Sequence, residues 1–443
     1  MLPQEHVRWL TAQPDTSLSI RNVMNEKFAA GYLLQTREKV GALVVKVIRR
    51  DVTRNVGKSQ AAVFDEIRAN VDAAFGVDET GWRRVCLFEA METIVSNSTN
   101  RMIVGLPLCH NTSYLRSLHI YSTLLATGML VVGQFVPQLF KSPISFIFRL
   151  PLYVYKKRCL NMLVPLVRQV LEGVKQKRAN PTASSATPET LLTWIADAVL
   201  DSEDLFDTRA EDISDCVIAV MVATTHTSIV TATNVFLDLL SSDPKLGYYE
   251  RLRTEAGDNF KTQEDWENFA GVTKLFYTDS AIRESARQNP ILTKGALREI
   301  VHEKGLTTPD GNHIARGAWL GVYAPGVHMD ERFYPRPNLY EPFRFVREPA
   351  DEDVSKQTST TASKNQRNVS MTTVSDTYLA WGHGRHSCPG RWFASQLLKI
   401  MVAYITLNYD IRPLEKRPEN SVLGDTIVPP IRATIEVRRR KHV

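Results

Sequence analysis

Of the five cysteines in the 443-residue chain, at positions 86, 109, 159, 216 and 388, Cys388 alone sits in a segment built for chemistry. Its context is Trp381-Gly-His-Gly-Arg-His-Ser-Cys388-Pro-Gly-Arg391. Sulfur binds a metal as a thiolate, so a ligand cysteine needs a lowered proton affinity. Pro389, at the first turn of the helical run that continues through Trp392-Phe-Ala-Ser, places the sulfur near the positive end of a helix. Gly382, Gly384 and Gly390 remove side chains on both flanks, which would let a flat macrocycle approach the backbone. Arg385 and His386 would reach acidic groups at its edge, so the loop is expected to face a large planar anion. Two other readings use the same residues. One is a buried structural thiol ahead of a helix. The other is a zinc site from His383, His386 and Cys388, which lacks a further Cys or His group at familiar spacing.

Three other places carry chemistry-bearing side chains. Glu284 and Arg287 stand three apart on one helical face, a spacing that by itself describes an ordinary surface ion pair. Ala223-Thr-Thr-His-Thr-Ser228 interrupts an apolar helix with four hydroxyl residues, which can bond back to carbonyls one turn earlier and bend it, opening a groove. Arg49 and Arg298 lie in a basic stretch and a strand-like segment, and Arg50, Arg54 and Lys58 continue the first as a basic face.

The elements that must position these groups are mainly helical. Apolar residues recur at three and four over 64–74, 87–104, 191–200, 213–240, 272–287 and 392–407, which predicts helices there. Polar, proline-bearing breaks fall at 176–188 and 241–245, and 299–327 predicts a small hairpin sheet around Pro309-Asp-Gly311. Residues 348–376, rich in Ser, Thr, Lys and Asp, predict an exposed, flexible insertion leading into the Cys388 segment. The longest uncharged stretch, 118–140, carries Gly, Pro, Gln and hydroxyl residues, so it predicts a buried or membrane-grazing helix with a loop. A hydrophobic content of 43% supports a large core, with residues 1–443 expected as one domain. The net charge of +6 is dispersed and no nucleic-acid module is visible, so nucleic acid is not expected as a partner. An odd set of scattered cysteines fits reduced thiols.

Taken whole, the eleven-residue string at 381–391 resembles the haem-binding loop of the cytochrome P-450 superfamily, in the form common in filamentous fungi. The resemblance implies a mainly α fold with a small β-sheet region, and haem iron held by Cys388, with Trp381 where the family usually has phenylalanine. The indole N–H is then expected to alter how the sulfur is solvated. Glu341-Pro-Phe-Arg344-Phe lies between the Glu284 helix and the cysteine, in the order the family uses, so Glu284, Arg287 and Arg344 are expected to form a structural network. Thr227 is implied as the hydrogen-bond donor on the oxygen side of the haem. His226, where the family usually has an acid, is expected either to shuttle protons or only to shape the pocket, and Arg298 and Arg49 are implied as partners of the propionates. The implied activity is O2-dependent oxidation of an apolar small molecule, with electrons from an NADPH-dependent flavoprotein reductase. Residues 105–111 and 223–227 most resemble fungal enzymes of terpenoid and meroterpenoid metabolism. Against the family, the chain is expected to lack the usual anchor and first elements, while location on the cytosolic face of the endoplasmic reticulum, with a peripheral membrane contact, follows by resemblance. Two other functions stay open: a haem-thiolate isomerase or dehydratase that does not use O2, and a truncated, non-catalytic haem-binding remnant.

Overall fold

The computed structural model describes residues 1–34, 38–180, 188–202, 208–346 and 369–441. Twelve principal helices organise it: α1 (Val7–Ala12), α2 (Ile20–Lys27), α3 (Glu38–Val47), α4 (Gln60–Phe75), α5 (Leu87–Ile103), α6 (Thr112–Phe135), α7 (Gln138–Ala179), α8 (Leu191–Leu200), α9 (Ala210–Leu240), α10 (Tyr248–Asn259), α11 (Phe276–Gln288) and α12 (Arg391–Asn408).

Two of these helices carry long stretches that are buried around their whole circumference and so are enclosed by others. In α9 every residue from Ala232 to Leu240 is buried, and in α12 every residue from Phe393 to Thr406. Helices α5, α7 and α11 pack on α9, while α10, α11 and α4 pack on α12. Glu211 and Asp212 in the first turn of α9 complement its positive end. Helix α6 buries one stripe at helical spacing, Tyr114, Leu118, Tyr121, Leu125 and Val132, and Asn111 caps it by accepting from the Tyr114 amide at 2.9 Å. It ends at Phe135, and Pro137 precedes α7. The uncharged stretch is thus an amphipathic helix, a turn and the start of the next helix.

The β structure is small and antiparallel. Strand β1 (Leu18–Ser19) pairs with β3 (Lys294–Ile300), which pairs with β6 (Trp319–Tyr323); between β3 and β6 lies a hairpin of β4 (Leu306–Thr307) and β5 (His313–Ile314). A second sheet orders β2 (Arg83–Cys86), β10 (Thr434–Arg439) and β7 (Tyr409–Ile411), and β8 (Ser421–Leu423) pairs with β9 (Thr426–Val428). The β3–β6 register shifts between Gly295 and Arg298, where Ala296 takes φ 51°. This bulge breaks the alternation of β3, so that Leu297 and Arg298 are buried in succession.

Two expectations are corrected. The helix expected over 272–287 is two helices, Phe269–Thr273 and α11, because Lys274 and Leu275 cap the first and open the second. The insertion expected over 348–376 falls mostly outside the described residues, but its last part is packed, with Met371 at 1% and Thr372 at 2% exposure. The cause lies on α11: the Asp279 carboxylate accepts from the Met371 amide, and Arg283 donates to the Ser370 and Thr373 carbonyls at 2.8 Å each.

Candidate haem site

Helix α11 controls the approach to Cys388 from one side and the core from the other. Its Arg283 also lies over the Tyr378 ring at 3.7 Å, fixing the segment that leads into the cysteine loop. One residue further, Glu284 is fully buried and receives Arg287 in a bidentate pair, both N···O distances 2.8 Å. Arg344 donates to the same carboxylate at 3.0 Å, and the Glu341 amide adds a fourth contact at 3.3 Å. Arg287 spends its remaining donors on the carbonyls of His328 (2.5 Å) and Pro337 (2.7 Å). The structure therefore brings together all three residues of the expected network.

His328 was not singled out in the sequence. It is fully buried, its Nδ1 bonds the Arg287 carbonyl at 2.9 Å, and its Nε2 accepts from the Leu379 amide at 2.8 Å. A neutral ring with a fixed tautomer thus ties α11 to the start of the cysteine loop. Burial, then the charges of Arg287 and Arg283, push its pKa down to about 3 against the opposing pull of the Arg287 carbonyl. No spacing or repeat marks this histidine in the sequence; only the fold shows its two partners.

The loop itself is closed by the Cys388 amide, which donates to the Trp381 carbonyl at 2.8 Å. Gly382 and Gly384 take φ 72° and 67°, and a Cβ on Gly384 would lie 3.0 Å from the Thr11 Cβ, so both conformation and space call for glycine there. Gly390 differs, since a Cβ there would meet nothing within 4 Å. The absent side chain leaves room beside the sulfur. Helix α12 starts at Arg391 with Gly390 as its cap, so Pro389 precedes the helix rather than opening it.

Two expectations about the sulfur are revised. Burial, the largest influence, pushes the Cys388 thiol up, and the Gly390 amide, the Arg391 charge and the Arg391 amide offset this only in part. The helix end is outweighed by desolvation, so the proton must leave when a metal binds. The Trp381 indole N–H donates to the Met371 carbonyl at 2.5 Å and is not available to the sulfur.

Cys388, Pro389, Gly390 and Trp381 form one wall of a cavity of about 340 Å³. The opposite wall is α9, with Ala219, Val220, Ala223, Thr224, Thr227 and Ser228, and α3 closes the side with Gly41, Val44 and Val45, joined by Ile48 just after it. Thr227 faces this space with its hydroxyl donating to the Ala223 carbonyl at 2.9 Å, which leaves an oxygen lone pair toward the cavity. Helix α9 is continuous through the hydroxyl cluster despite the back-bonding expected to bend it. His226 is not in the lining. Its ring lies against the Ser122 carbonyl and near His119 of α6, and burial lowers its pKa.

The basic residues gather at one edge. Arg49 donates to the Arg385 carbonyl at 2.8 Å, and Arg385 and His386 both hold Asp15, at 3.0 and 2.8 Å. Arg385 and His386 thus already carry a carboxylate from the segment before β1. Arg298 is 4% exposed, and its one hydrogen bond among the described residues goes to the neighbouring Leu297 carbonyl at 2.8 Å. Burial lowers its pKa, with the Asp15 charge opposing. A buried guanidinium with no paired carboxylate fits an anionic ligand better than a solvent-free core. The zinc reading finds no support: His383 bonds Thr11 at 2.9 Å, His386 bonds Asp15, and neither forms a cluster of metal-binding atoms with Cys388 among the described residues.

These features, a loop cysteine and a helical threonine across an apolar slot with a buried carboxylate–guanidinium network behind, coincide with the result of comparison: residues 19–437 match the family model described as Cytochrome P450, and the chain belongs to that family. It is 35% identical over 444 residues to the cytochrome P450 monooxygenase polB of Polytolypa hystricis, covering 100% of this chain and 84% of that protein. It is 32% identical to nodZ of Hypoxylon pulicicidum (99% of this chain, 82% of that one) and 34% identical to lnaC of Aspergillus flavus (99% and 82%), both cytochrome P450 monooxygenases. The protein is a cytochrome P450 monooxygenase of fungal secondary metabolism, and its cofactor is haem with a thiolate ligand.

Proposed function

We propose that this monooxygenase oxidises an apolar terpenoid or meroterpenoid intermediate, with Cys388 as the residue that would hold haem iron and Thr227 in the wall of the same cavity. The observation that carries this is the convergence of Cys388, Gly390 and Thr227 on one largely apolar cavity of about 340 Å³. Bound there, haem supplies reductive activation of dioxygen: two electrons and two protons are consumed as one oxygen atom enters the substrate and the other leaves as water.

The residues divide the remaining work. The Cys388 sulfur would hold the iron as a thiolate, and the amides of Gly390 and Arg391 and the Arg391 charge favour that charged form. Arg298 and Arg49 would neutralise the propionates, with Arg385 and His386 positioned through Asp15. Thr227 offers a hydroxyl, beside those of Thr224 and Ser228, in a space otherwise lined mainly by apolar side chains. The electrons come from a separate NADPH-dependent flavoprotein reductase.

An apolar substrate accords with a membrane-grazing surface. At the end of α6 and along the first turns of α7, Phe135, Leu139, Phe140, Phe146, Ile147 and Leu150 are each more than half exposed, Leu139 at 82%. Contiguous exposed apolar groups of this kind mark a contact surface, here for a membrane, with the endoplasmic reticulum as the proposed location. Turnover under 18O2 with the reductase tests the function: the product is expected to gain one 18O atom. Product formed without oxygen would favour an isomerase or dehydratase instead.

A further inference from the structure

The connection between α5 and α6 gathers a second set of metal-binding donors. Gly105-Leu-Pro-Leu-Cys-His110 closes in a single tight turn over Leu108–His110. The Cys109 amide donates to the Gly105 carbonyl and the His110 amide to the Pro107 carbonyl, both at 3.1 Å. This backbone brings two adjacent side chains to one place on α4, where Glu66 presents a carboxylate that is 6% exposed. One Glu66 oxygen lies 2.6 Å from His110 Nε2. Cys109, 1% exposed, completes a trio whose ligand atoms all lie within 4.8 Å of one another. His110 is exposed, so the trio has a buried floor and an open rim.

An ion pair would account for the histidine and the carboxylate, but the sulfur adds nothing to it. Thiolate, imidazole and carboxylate together are a donor set for zinc, whereas magnesium and calcium take oxygen ligands. Zinc bonds of about 2.0–2.3 Å at tetrahedral angles set donor atoms roughly 3.3–3.8 Å apart. With its closest pair at 2.6 Å and all its atoms within 4.8 Å, the trio straddles that range. Rotation of His110, the exposed member, opens the short contact and seats an ion. A thiolate, a carboxylate and a neutral imidazole cancel the double charge of zinc, which matters because Arg101 of α5 sits 3.8 Å from the same Glu66 oxygen. Asn70, one turn along α4, donates to the other carboxylate oxygen at 3.3 Å and steadies its orientation.

We propose that Glu66, Cys109 and His110 form a zinc site that ties α4 to the turn between α5 and α6, its fourth position open to water at the His110 rim. The site shares no residue with the Cys388 cavity and does not depend on the haem reading.

Equilibrium dialysis of the haem-loaded full chain against zinc chloride, with the metal counted by mass spectrometry, is expected to give one zinc per chain at micromolar free metal. Excess magnesium should not displace it. Cys109→Ala and His110→Arg should each weaken uptake by about tenfold or more. The arginine keeps a cation beside Glu66, so that variant should match the unmutated circular dichroism spectrum, and His110→Cys, which supplies another soft ligand, should bind zinc. The thermal unfolding midpoint should rise with zinc in the unmutated protein and not in His110→Arg. No uptake even at millimolar zinc, or uptake unchanged in both Cys109→Ala and His110→Arg, would overturn the site.

Discussion

Replacing Glu284 with glutamine removes one charge and almost no volume, and the structure lets its cost be worked out. The carboxylate and the Arg287 guanidinium are both fully buried, and Arg344 is 9% exposed. Glutamine can accept one of the two bonds Arg287 now makes, but its amide N–H₂ faces the other guanidinium nitrogen, donor against donor. Breaking a buried pair from one side leaves an uncompensated buried charge, about 3–5 kcal/mol. Against a total stability of roughly 5–15 kcal/mol this is a large share. Part of the penalty belongs to the stranded cation, so Glu284→Gln combined with Arg287→Met should cost less than the sum of the single changes. Recovery should be incomplete, because the carbonyls of His328 and Pro337 also lose their donor. Urea unfolding of the two single variants and the double variant gives the coupling energy, expected at about 1–3 kcal/mol. Haem content of each purified variant reads the functional consequence. Additive effects, or a Glu284→Gln variant within about 0.5 kcal/mol of the unmutated protein, would refute the reasoning.

Other consequences are read from single residues. The His328 pKa near 3 lies below its unfolded value, so the unfolded chain binds the extra proton and stability falls as pH drops below about 6.5. At pH 5 this histidine alone should remove about 2 kcal/mol, and His328→Gln should flatten that part of the stability profile measured by urea unfolding. Arg298→Met removes a buried cation left for an anionic ligand, so haem should pass to an acceptor apoprotein about 10–100-fold faster while haem-free stability does not fall; equal transfer rates would count against the propionate role. Gly390→Leu places its side chain in open space, so the chain should fold normally yet take up little haem, as circular dichroism and haem titration would show. Phe146→Asp with Leu150→Asp should weaken flotation with phospholipid vesicles, and unaltered flotation would remove the membrane surface.

What the sequence made legible was periodic or carried by a contiguous string. The stretch 191–200 is a helix with those bounds, and 392–407 and 213–240 differ from α12 and α9 by at most a turn. Their apolar residues face a core on several sides, and that pattern survives in one dimension. Helix α7 was not expected: Pro143, Pro151 and Pro165 lie within its 42 residues and no single apolar stripe runs along it, so packing against α6, α8 and α9 maintains what local pattern does not announce. The same division holds in the site. Cys388, Glu284, Arg287 and Arg344 stand in short strings, whereas His328 acts through partners about 40 and 50 positions away in the chain. Facing direction was the other hidden quantity. Thr227 and His226 are neighbours in sequence, but a helical step of ~100° turns one toward the Cys388 cavity and the other toward α6. The destination of the Trp381 N–H depends in the same way on Met371, in a polar segment that α11 holds against the core.

The central claim is that Cys388 supplies the thiolate ligand of haem in the cavity beneath Thr227. The most direct measurement is the carbon monoxide difference spectrum of the reduced, haem-loaded protein beside that of Cys388→Ser. The account predicts a red-shifted Soret band in the unmutated protein that is lost in the serine variant. A folded, haem-loaded protein without that band, or a serine variant that keeps it, would contradict the assignment.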